Sequence, residues 1–205
     1  EVPRRLVDGG DLVGVGERAE RRVQEEGDDQ QQRADGEQRD EATIYLDLAE
    51  AAGLEIDNGI KTDAQGRTSA PHIWAAGDCA SFPHNGGRIR LESVPNAIDQ
   101  AECVAGNMQG AGVDYVPKPW FWSDQYDVKL QIAGLNTGYD RIVSRKGEGL
   151  SASFWYFKGG QLLAVDAMND PRAYMVGKRL IDNGKTADPD LVGDPEVDLK
   201  ALMRG

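Results

Sequence analysis

The sequence has little cysteine and no long apolar run. Its two cysteines, Cys79 and Cys103, lie far apart and form no C-x-x-C pair. This spacing argues against a dithiol active site and a secreted disulfide framework, and it predicts a chain of the reducing cytoplasm. No apolar run reaches the roughly 18 residues that a membrane-spanning helix needs, and no signal peptide is visible. A membrane protein and a disulfide reductase are therefore both disfavoured.

Basic residues and histidines are also scarce. The chain has 23 Lys and Arg against 35 Asp and Glu, a formal net charge of −12. Nucleic acid and anionic membranes are not expected as partners, because both bind through cations that neutralise phosphate. The two histidines, His72 and His84, lie in different predicted elements and have no matching Cys or carboxylate spacing. No metal site is predicted.

Residues 1–42 contain no aromatic residue and no lysine, and their seven Arg and thirteen Asp and Glu carry half of the net charge. They show neither helical nor strand periodicity, which predicts an irregular or disordered segment. The abrupt change near Thr43 also fits a coding artefact such as a shifted reading frame. "GVGERA", residues 14–19, fits G-x-G-x-x-A, but no strand precedes it and no helix–strand follows, which favours a chance match.

Residues 43–115 have α/β character. A short helix over 45–53 is predicted to end at Gly53, followed by a strand-turn-strand around 59–68 and a strand at Ile73–Ala76. A second helix is predicted within residues 92–110, with Ser93 as its cap. Its apolar side chains follow the spacing of a packed helical stripe: Ala97, Ile98, Ala101, Val104, Ala105 and Met108.

Residues 118–205 change to strand alternation after the linker 110–119. Val128, Leu130 and Ile132 alternate with polar residues, and the later apolar segments are separated by Gly-rich turns. A last helix is predicted from Pro171 to Gly184, with an acidic tail after it. This half is therefore predicted to be an α+β domain, an antiparallel sheet with one helix packed on it.

The stretch "APHIWAAGDCA", residues 70–80, places an apolar run directly before Gly77 and Asp78. If the run is a parallel strand, Asp78 lies at the carboxyl edge of the sheet, where open α/β sheets bind ligands. Gly77 would let the backbone approach a ligand closely, and the carboxylate could accept hydrogen bonds from sugar-alcohol hydroxyls. The alternative is an exposed Asp in a turn that ends the strand.

Three motifs carry a resemblance to a known family. "TSAPHIWAAGDCA" resembles the second flavin-binding motif of two-dinucleotide-binding-domain flavoproteins, T-[ST]-x-P-x-I-[YFW]-A-x-G-D. "RLESVPNAIDQA" and "PWFWSDQYDVKLQIAGL" resemble the ferredoxin reductases of bacterial Rieske oxygenase and cytochrome P450 systems, the putidaredoxin and rhodocoxin reductase group. The resemblance covers about residues 43 to 203.

The resemblance implies an FAD cofactor, NADH as hydride donor and a small [2Fe–2S] ferredoxin as electron acceptor. It assigns Asp78 to the ribityl hydroxyls, the Val94 amide to the pyrimidine edge of the flavin, and Trp122 to the isoalloxazine ring. A helix N-terminus at Val94 would favour the negative charge of reduced flavin. Trp122 could equally be a packing aromatic. Glu92 is either a carboxylate at the flavin edge or a plain exposed acid.

The chain departs from this family in one respect. The family carries two βαβ units with glycine-rich phosphate turns, one for the ADP half of FAD and one for NADH, and neither is recognisable here. The sequence therefore predicts the returning part of an FAD domain, residues 43–115, followed by the C-terminal reductase domain, residues 118–205, with no catalytic side chain. The alternative is a non-catalytic interaction or dimerisation module, which leaves a homodimer open.

Ferredoxin docking would need a local basic patch on this acidic chain. The sequence offers four candidates, which would gather near the flavin-facing edge and meet an acidic ferredoxin: Lys129, Arg141, Arg145 and Lys146. The alternative is that these charges are scattered and solvated.

Overall fold

A computed structural model describes residues 41–204, with side chains for residues 46–203. The predictions for residues 1–40, the irregular segment and the "GVGERA" match, lie outside the described residues. Of the described residues, those up to Asp47 and those from Leu48 fall in two units, and the described strands all lie in the second. No helix within residues 41–204 is long and apolar enough to cross a membrane.

Four helices and eight strands make up the described chain. The helices are α1 (Glu41–Ala51), α2 (Val94–Met108), α3 (Pro171–Asp182) and α4 (Pro189–Gly193). The strands are β1 (Ile60–Lys61), β2 (Ala80–His84), β3 (Gly87–Ile89), β4 (Trp120–Gln125), β5 (Val128–Gly134), β6 (Arg141–Lys146), β7 (Ala152–Lys158) and β8 (Gln161–Met168). Two short 3₁₀ helices, Gly77–Cys79 and Leu199–Arg204, complete the secondary structure.

A small three-stranded sheet lies in the first half, with β2 between its parallel neighbour β1 and its antiparallel neighbour β3. The predicted strand at Ile73–Ala76 is wrong, because only Trp74 forms a β-bridge, antiparallel to Arg67. A strand needs a neighbour along its whole length to pair its amides and carbonyls. Among the described residues, this segment has such a neighbour at a single position.

The second half is a five-stranded antiparallel sheet in the order β4-β5-β8-β7-β6, with α3 packed on β8. The Asp170 side chain caps α3 by accepting from the Ala173 amide at 2.9 Å. Between the sheet and α3 lies a core in which Trp155, Phe157 and Val165 are fully buried. The predicted antiparallel sheet with a packed helix is confirmed.

Helix α2 buries a face that is rotated away from the apolar stripe its sequence predicts. Ser93 caps it as expected, but Ile98 and Met108 of the apolar stripe are 53% and 62% exposed. Val104 is the one buried member of the stripe, and the other buried residues are Pro95 and the amides Asn96, Gln100 and Asn107. The prediction of a packed apolar stripe is therefore wrong for most of its length. Buried amides are tolerated where their polar atoms find hydrogen-bond partners.

The segment after α3 folds back onto the sheet. Val192 of α4 and Leu199 are both nearly inaccessible to solvent, at 0% and 3% exposed. Arg145 on β6 holds this segment, because its guanidinium donates at 2.5–3.2 Å to four backbone carbonyls: those of Val192, Asp194, Pro195 and Val197. The acidic tail of the sequence is therefore an ordered part of the domain.

The expected basic cluster is wrong. Arg141 pairs with Asp190 at 2.5 Å, and Arg145 is engaged by the carbonyls of the C-terminal segment. Both lie on β6, at the edge of the sheet opposite β4, which carries Trp122. Lys129 lies on β5, next to β4, and pairs with Asp124. The strand order therefore places the two arginines far from Lys129, whereas the sequence showed only that all of them belong to one domain.

One half-buried ionisable pair predicts a pH dependence. The Tyr156 hydroxyl donates to Asp166 Oδ2 at 2.8 Å. Burial raises the pKa of Asp166 above its ordinary value, and the hydrogen bond from Tyr156 opposes that rise. The folded chain therefore holds the Asp166 proton more tightly than the unfolded chain. Between the ordinary and the raised pKa, this group lowers the free energy of unfolding as pH rises.

Asp166→Asn is therefore expected to gain stability relative to the parent chain as pH rises from about 3.9, the unperturbed pKa of Asp, toward neutrality. Urea unfolding of both proteins at a series of pH values measures this difference. Tyr156→Phe is the control: it removes the hydrogen bond that favours the charged carboxylate, so its own loss of stability should grow over the same range. A pH-independent difference between Asp166→Asn and the parent would contradict the prediction.

Candidate functional site

Two segments that are distant in the sequence pack on α2. The Gly77–Cys79 turn packs on this helix, and so does β4, the strand that carries Trp122. The helix itself begins at Val94, the third position that the sequence singled out. The fold therefore brings the three segments carrying Asp78, Val94 and Trp122 against one element.

Asp78 lies in a 3₁₀ turn at the start of β2 and not at the end of a strand, so the expected carboxyl-edge position is wrong. Its carboxylate is exposed and has no hydrogen-bond partner among the described residues. Gly77 is buried with φ +77°, and a Cβ there would lie 3.3 Å from Ala97 Cβ. Glycine is required because the turn is left-handed and lies directly on the helix.

The neighbouring thiol is not an activated nucleophile. Burial raises the pKa of Cys79, and its Sγ lies 3.5 Å from the Ala76 carbonyl oxygen. A protonated thiol is a poor nucleophile. Among the described residues, no group of three or more His, Cys, Asp or Glu could hold a metal ion.

The first turn of α2 leaves one backbone donor without an acceptor inside the helix. Pro95 has no amide hydrogen, the Asn96 amide donates to Ser93 Oγ at 3.4 Å, and the Ala97 amide donates to the Ser93 carbonyl at 2.9 Å. Val94 is the first helical residue, so its amide has no helical acceptor. Its side chain is 60% exposed, which leaves this end of the helix open to a ligand.

Glu92 is exposed and forms an ion pair with Arg90 at 2.5 Å. The carboxylate lies two residues before the helix, as a flavin-edge role requires. It is also exposed and neutralised by Arg90, as a plain surface acid could be. Its role at a flavin edge stays a prediction.

Trp122 is partly packed and partly open. Its ring stacks on Trp120, with ring centroids 5.4 Å apart and planes inclined by 28°, and Trp120 in turn lies 6.5 Å from Tyr174. Trp120 is therefore the member of the pair that packs on the core, while Trp122 stays 37% exposed. An aromatic ring fixed on one face and open on the other can bind a planar ligand.

Sequence reasoning missed the buried amides of α2. Gln100 Oε1 accepts from the Gly77 amide at 2.8 Å, and Asn96 Oδ1 accepts from the Tyr115 hydroxyl at 3.0 Å. Burial raises the pKa of Tyr115 to about 12, so this hydroxyl remains a donor. Asn96, Gln100 and Asn107 share one helical face and none carries a charge. That pattern of neutral amides was the available signal.

The residues present fit a flavin with a ribityl chain. An exposed carboxylate suits hydroxyl donors, a free amide at a helix start suits an anionic acceptor, and an open indole face suits a planar ring. The described residues contain no glycine-rich helix start for a pyrophosphate. The fit is therefore to the ring and ribityl portions of FAD.

Known protein families match both halves of the described chain. The family described as "Pyridine nucleotide-disulphide oxidoreductase" matches residues 41–101, and the family described as "Reductase C-terminal" matches residues 120–203. A ferredoxin–NAD(P)+ reductase from Sphingomonas sp. is 44% identical over 158 residues, which cover 74% of this chain and 38% of the relative. Rhodocoxin reductase from Rhodococcus erythropolis is 42% identical over 161 residues, covering 77% and 38%.

Solved structures show the same relationship. The ferredoxin reductase for the CYP199A2 system from Rhodopseudomonas palustris superposes with a TM-score of 0.72 at 42% identity, covering 76% of this chain and 39% of that one. The reductase in a covalent putidaredoxin reductase–putidaredoxin complex gives 0.71 at 40% identity, covering 78% and 39%.

Fold and family match together define the class of the described chain as the pyridine nucleotide-disulphide oxidoreductases. Within that class, residues 41–203 belong to the ferredoxin reductase family of the putidaredoxin and rhodocoxin reductase type. The resemblance predicted from the three sequence motifs is confirmed. The chain spans about 38% of the length of the curated relatives that it matches.

Proposed function

We propose that the chain is the C-terminal part of an FAD-dependent reductase that passes electrons from NADH to a [2Fe–2S] ferredoxin serving an oxygenase or a cytochrome P450. The observation that carries this proposal is the convergence on α2 of the segments that hold Asp78, Val94 and Trp122. The ferredoxin reductases among its relatives support the activity, and the solved complex of one relative with putidaredoxin supports a ferredoxin as partner. The free cysteines, Cys79 and Cys103, fit a cytoplasmic location.

FAD supplies the redox chemistry in such a reductase, because flavins accept hydride and release electrons singly. The chain's own residues bind and orient. Asp78 would accept hydrogen bonds from the ribityl hydroxyls, and the Val94 amide would donate to the pyrimidine edge. Trp122, fixed by its stack on Trp120, would cover the ring system and limit water access. Glu92 would lie at the flavin edge, its charge balanced by Arg90.

A non-catalytic interaction or dimerisation module is the second candidate, and one observation favours it. The strand registers place Phe121 and Ile142 on the same face of the five-stranded sheet. These side chains are 41% and 44% exposed. Large exposed apolar residues on one face are typical of a protein contact surface. This candidate predicts self-association without flavin.

A chimera tests the proposal. The segment of rhodocoxin reductase that matches residues 41–203 would be replaced by those residues of this chain. The chimera is expected to retain FAD and to reduce a ferredoxin with NADH. Asp78→Ala in the chimera should weaken FAD binding about tenfold to a hundredfold, because it removes charge-assisted hydrogen bonds to the ribityl chain.

The matched control is Asp99→Ala, which removes an exposed carboxylate from α2 itself. It should leave the dissociation constant of FAD unchanged. Equal effects of the two substitutions would argue against a flavin role for Asp78. A chimera that folds but binds no FAD, and associates with itself, would support the interaction module.

A further inference from the structure

Gln100 connects two of the three segments that would bind the flavin. It lies in α2, six residues after Val94, and its side chain is 1% exposed. Its Oε1 accepts a hydrogen bond from the amide of Gly77 at 2.8 Å. Gly77 directly precedes Asp78 in the 3₁₀ turn. One buried amide therefore joins the turn that carries the carboxylate to the helix that presents the Val94 amide.

The position of Asp78 depends on the backbone of this turn. The Asp78 carboxylate is exposed and accepts no hydrogen bond from the described residues, so no side-chain contact orients it. Gly77 is buried in the left-handed region, close to Ala97 of the helix. Its amide would be an unsatisfied buried donor without Gln100, and such donors are rare because they are costly. The hydrogen bond to Gln100 is thus the polar contact that fixes the turn against α2.

The buried amide in the last turn of α2, Asn107, contacts a different part of the chain. Asn107 Nδ2 donates to the carbonyls of Gln65 at 2.9 Å and Val113 at 2.8 Å, and its Oδ1 accepts from the Val113 amide at 2.7 Å. Asn107 fixes the loops at the far end of α2 and makes no hydrogen bond to the Gly77 turn. It offers a control that is as deeply buried as Gln100, at 2% exposed, and is likewise hydrogen-bonded to backbone.

We propose that Gln100 is a positioning residue for flavin binding, which sets the place of Asp78 relative to the Val94 amide through its hydrogen bond to Gly77. This inference rests on the proposed function. The Gln100 side chain is buried behind the turn and touches no ligand itself. It acts through Asp78, so its effect on FAD should disappear when Asp78 is removed.

The test uses the rhodocoxin reductase chimera with Gln100→Leu, which keeps the approximate size and removes the acceptor. Asn107→Leu is the matched control. Both substitutions should lower the melting temperature, because each removes the side-chain acceptor of a backbone amide. Only Gln100→Leu should raise the dissociation constant of FAD, by about tenfold, and alter the visible absorption band of the bound flavin. Gln100→Leu should have little further effect in an Asp78→Ala background.

Equal FAD affinities for Gln100→Leu and Asn107→Leu would overturn the inference, as would an undiminished effect of Gln100→Leu when Asp78 is already alanine. If Gln100→Leu does not fold, Gly77→Ala addresses the same hydrogen-bonded turn from its other side and should weaken FAD binding in the same direction. Failure of the proposed function looks different: the unsubstituted chimera would bind no FAD, or Asp78→Ala would match Asp99→Ala. Either result would remove the inference as well.

Discussion

Purified alone and mixed with FAD, the 205-residue chain is expected to emerge from a desalting column without flavin and to show no NADH oxidation with ferricyanide as acceptor. Asp78, Val94 and Trp122 address only the ribityl and ring portions of the cofactor. The pyrophosphate and adenosine need amides at a glycine-rich helix start, and the sequence shows no convincing one before Thr43. Each missing charge-assisted hydrogen bond is worth roughly 1.5 to 3 kcal/mol, so affinity should fall by many powers of ten.

Flavin absorbance after desalting and the rate of NADH oxidation measure this outcome, and the rhodocoxin reductase chimera is the positive control. Retention of one FAD per chain, or steady turnover, would contradict the prediction and would mean that residues 1–42 contain a nucleotide-binding unit. The exposed apolar side chains of α2, Ile98 and Met108 among them, are also expected to make the isolated chain prone to aggregation. Light scattering during purification would detect it.

Replacement of Arg145 by alanine is expected to destabilise the chain by about 2–4 kcal/mol, because four backbone carbonyls lose a charged donor at once. The C-terminal segment that these carbonyls belong to should then detach from β6 and expose Val192, which is fully buried in the intact fold. Urea unfolding measures the loss of stability. Limited proteolysis should cleave first within the detached segment, C-terminal to residue 187. Arg145→Lys should recover only part of the stability, since one ammonium cannot reach all four carbonyls.

Arg141→Ala is the matched control, because Arg141 lies on the same strand and contacts the same C-terminal segment. It makes a single ion pair to Asp190, and both partners are largely exposed. Such pairs contribute about 0–1 kcal/mol. A loss at Arg145 no larger than that at Arg141 would show that the four carbonyl contacts contribute little. It would also support the earlier hypothesis that Arg145 is available to bind a partner protein.

The positions of Arg141 and Arg145 argue against a role for them in ferredoxin docking. The two arginines on β6 serve the internal architecture of the C-terminal domain, at the sheet edge opposite Trp122. Lys129 is the member of the predicted cluster on the strand next to β4. Of the four cations that the sequence singled out, Lys129 is therefore the one placed to contribute electrostatic attraction near the proposed flavin site.

Local signals in the sequence determined the second half of the molecule. Alternating apolar residues predicted β5, β7 and β8, because a strand with one packed face has a period of two. Ser93 capped α2 as its position suggested, since a helix start needs side-chain acceptors for its free amides. The three family motifs are also read from sequence alone. Each of these features depends on neighbours within a few residues or on residue identity.

Tertiary structure decided the rest. The apolar run at Ile73–Ala76 has strand character, yet pairing depends on a neighbouring strand, and residues 41–204 provide it only at Arg67. The amides of α2 lie on its buried face, because Gln100 and Asn107 form hydrogen bonds with loops more than five residues away in sequence. Most of its apolar stripe stays exposed, because little packs against it. Arg145 became a structural residue because four carbonyls converged on it. Periodicity and caps are local, but the partners that bury a group or pair a strand are set by the fold.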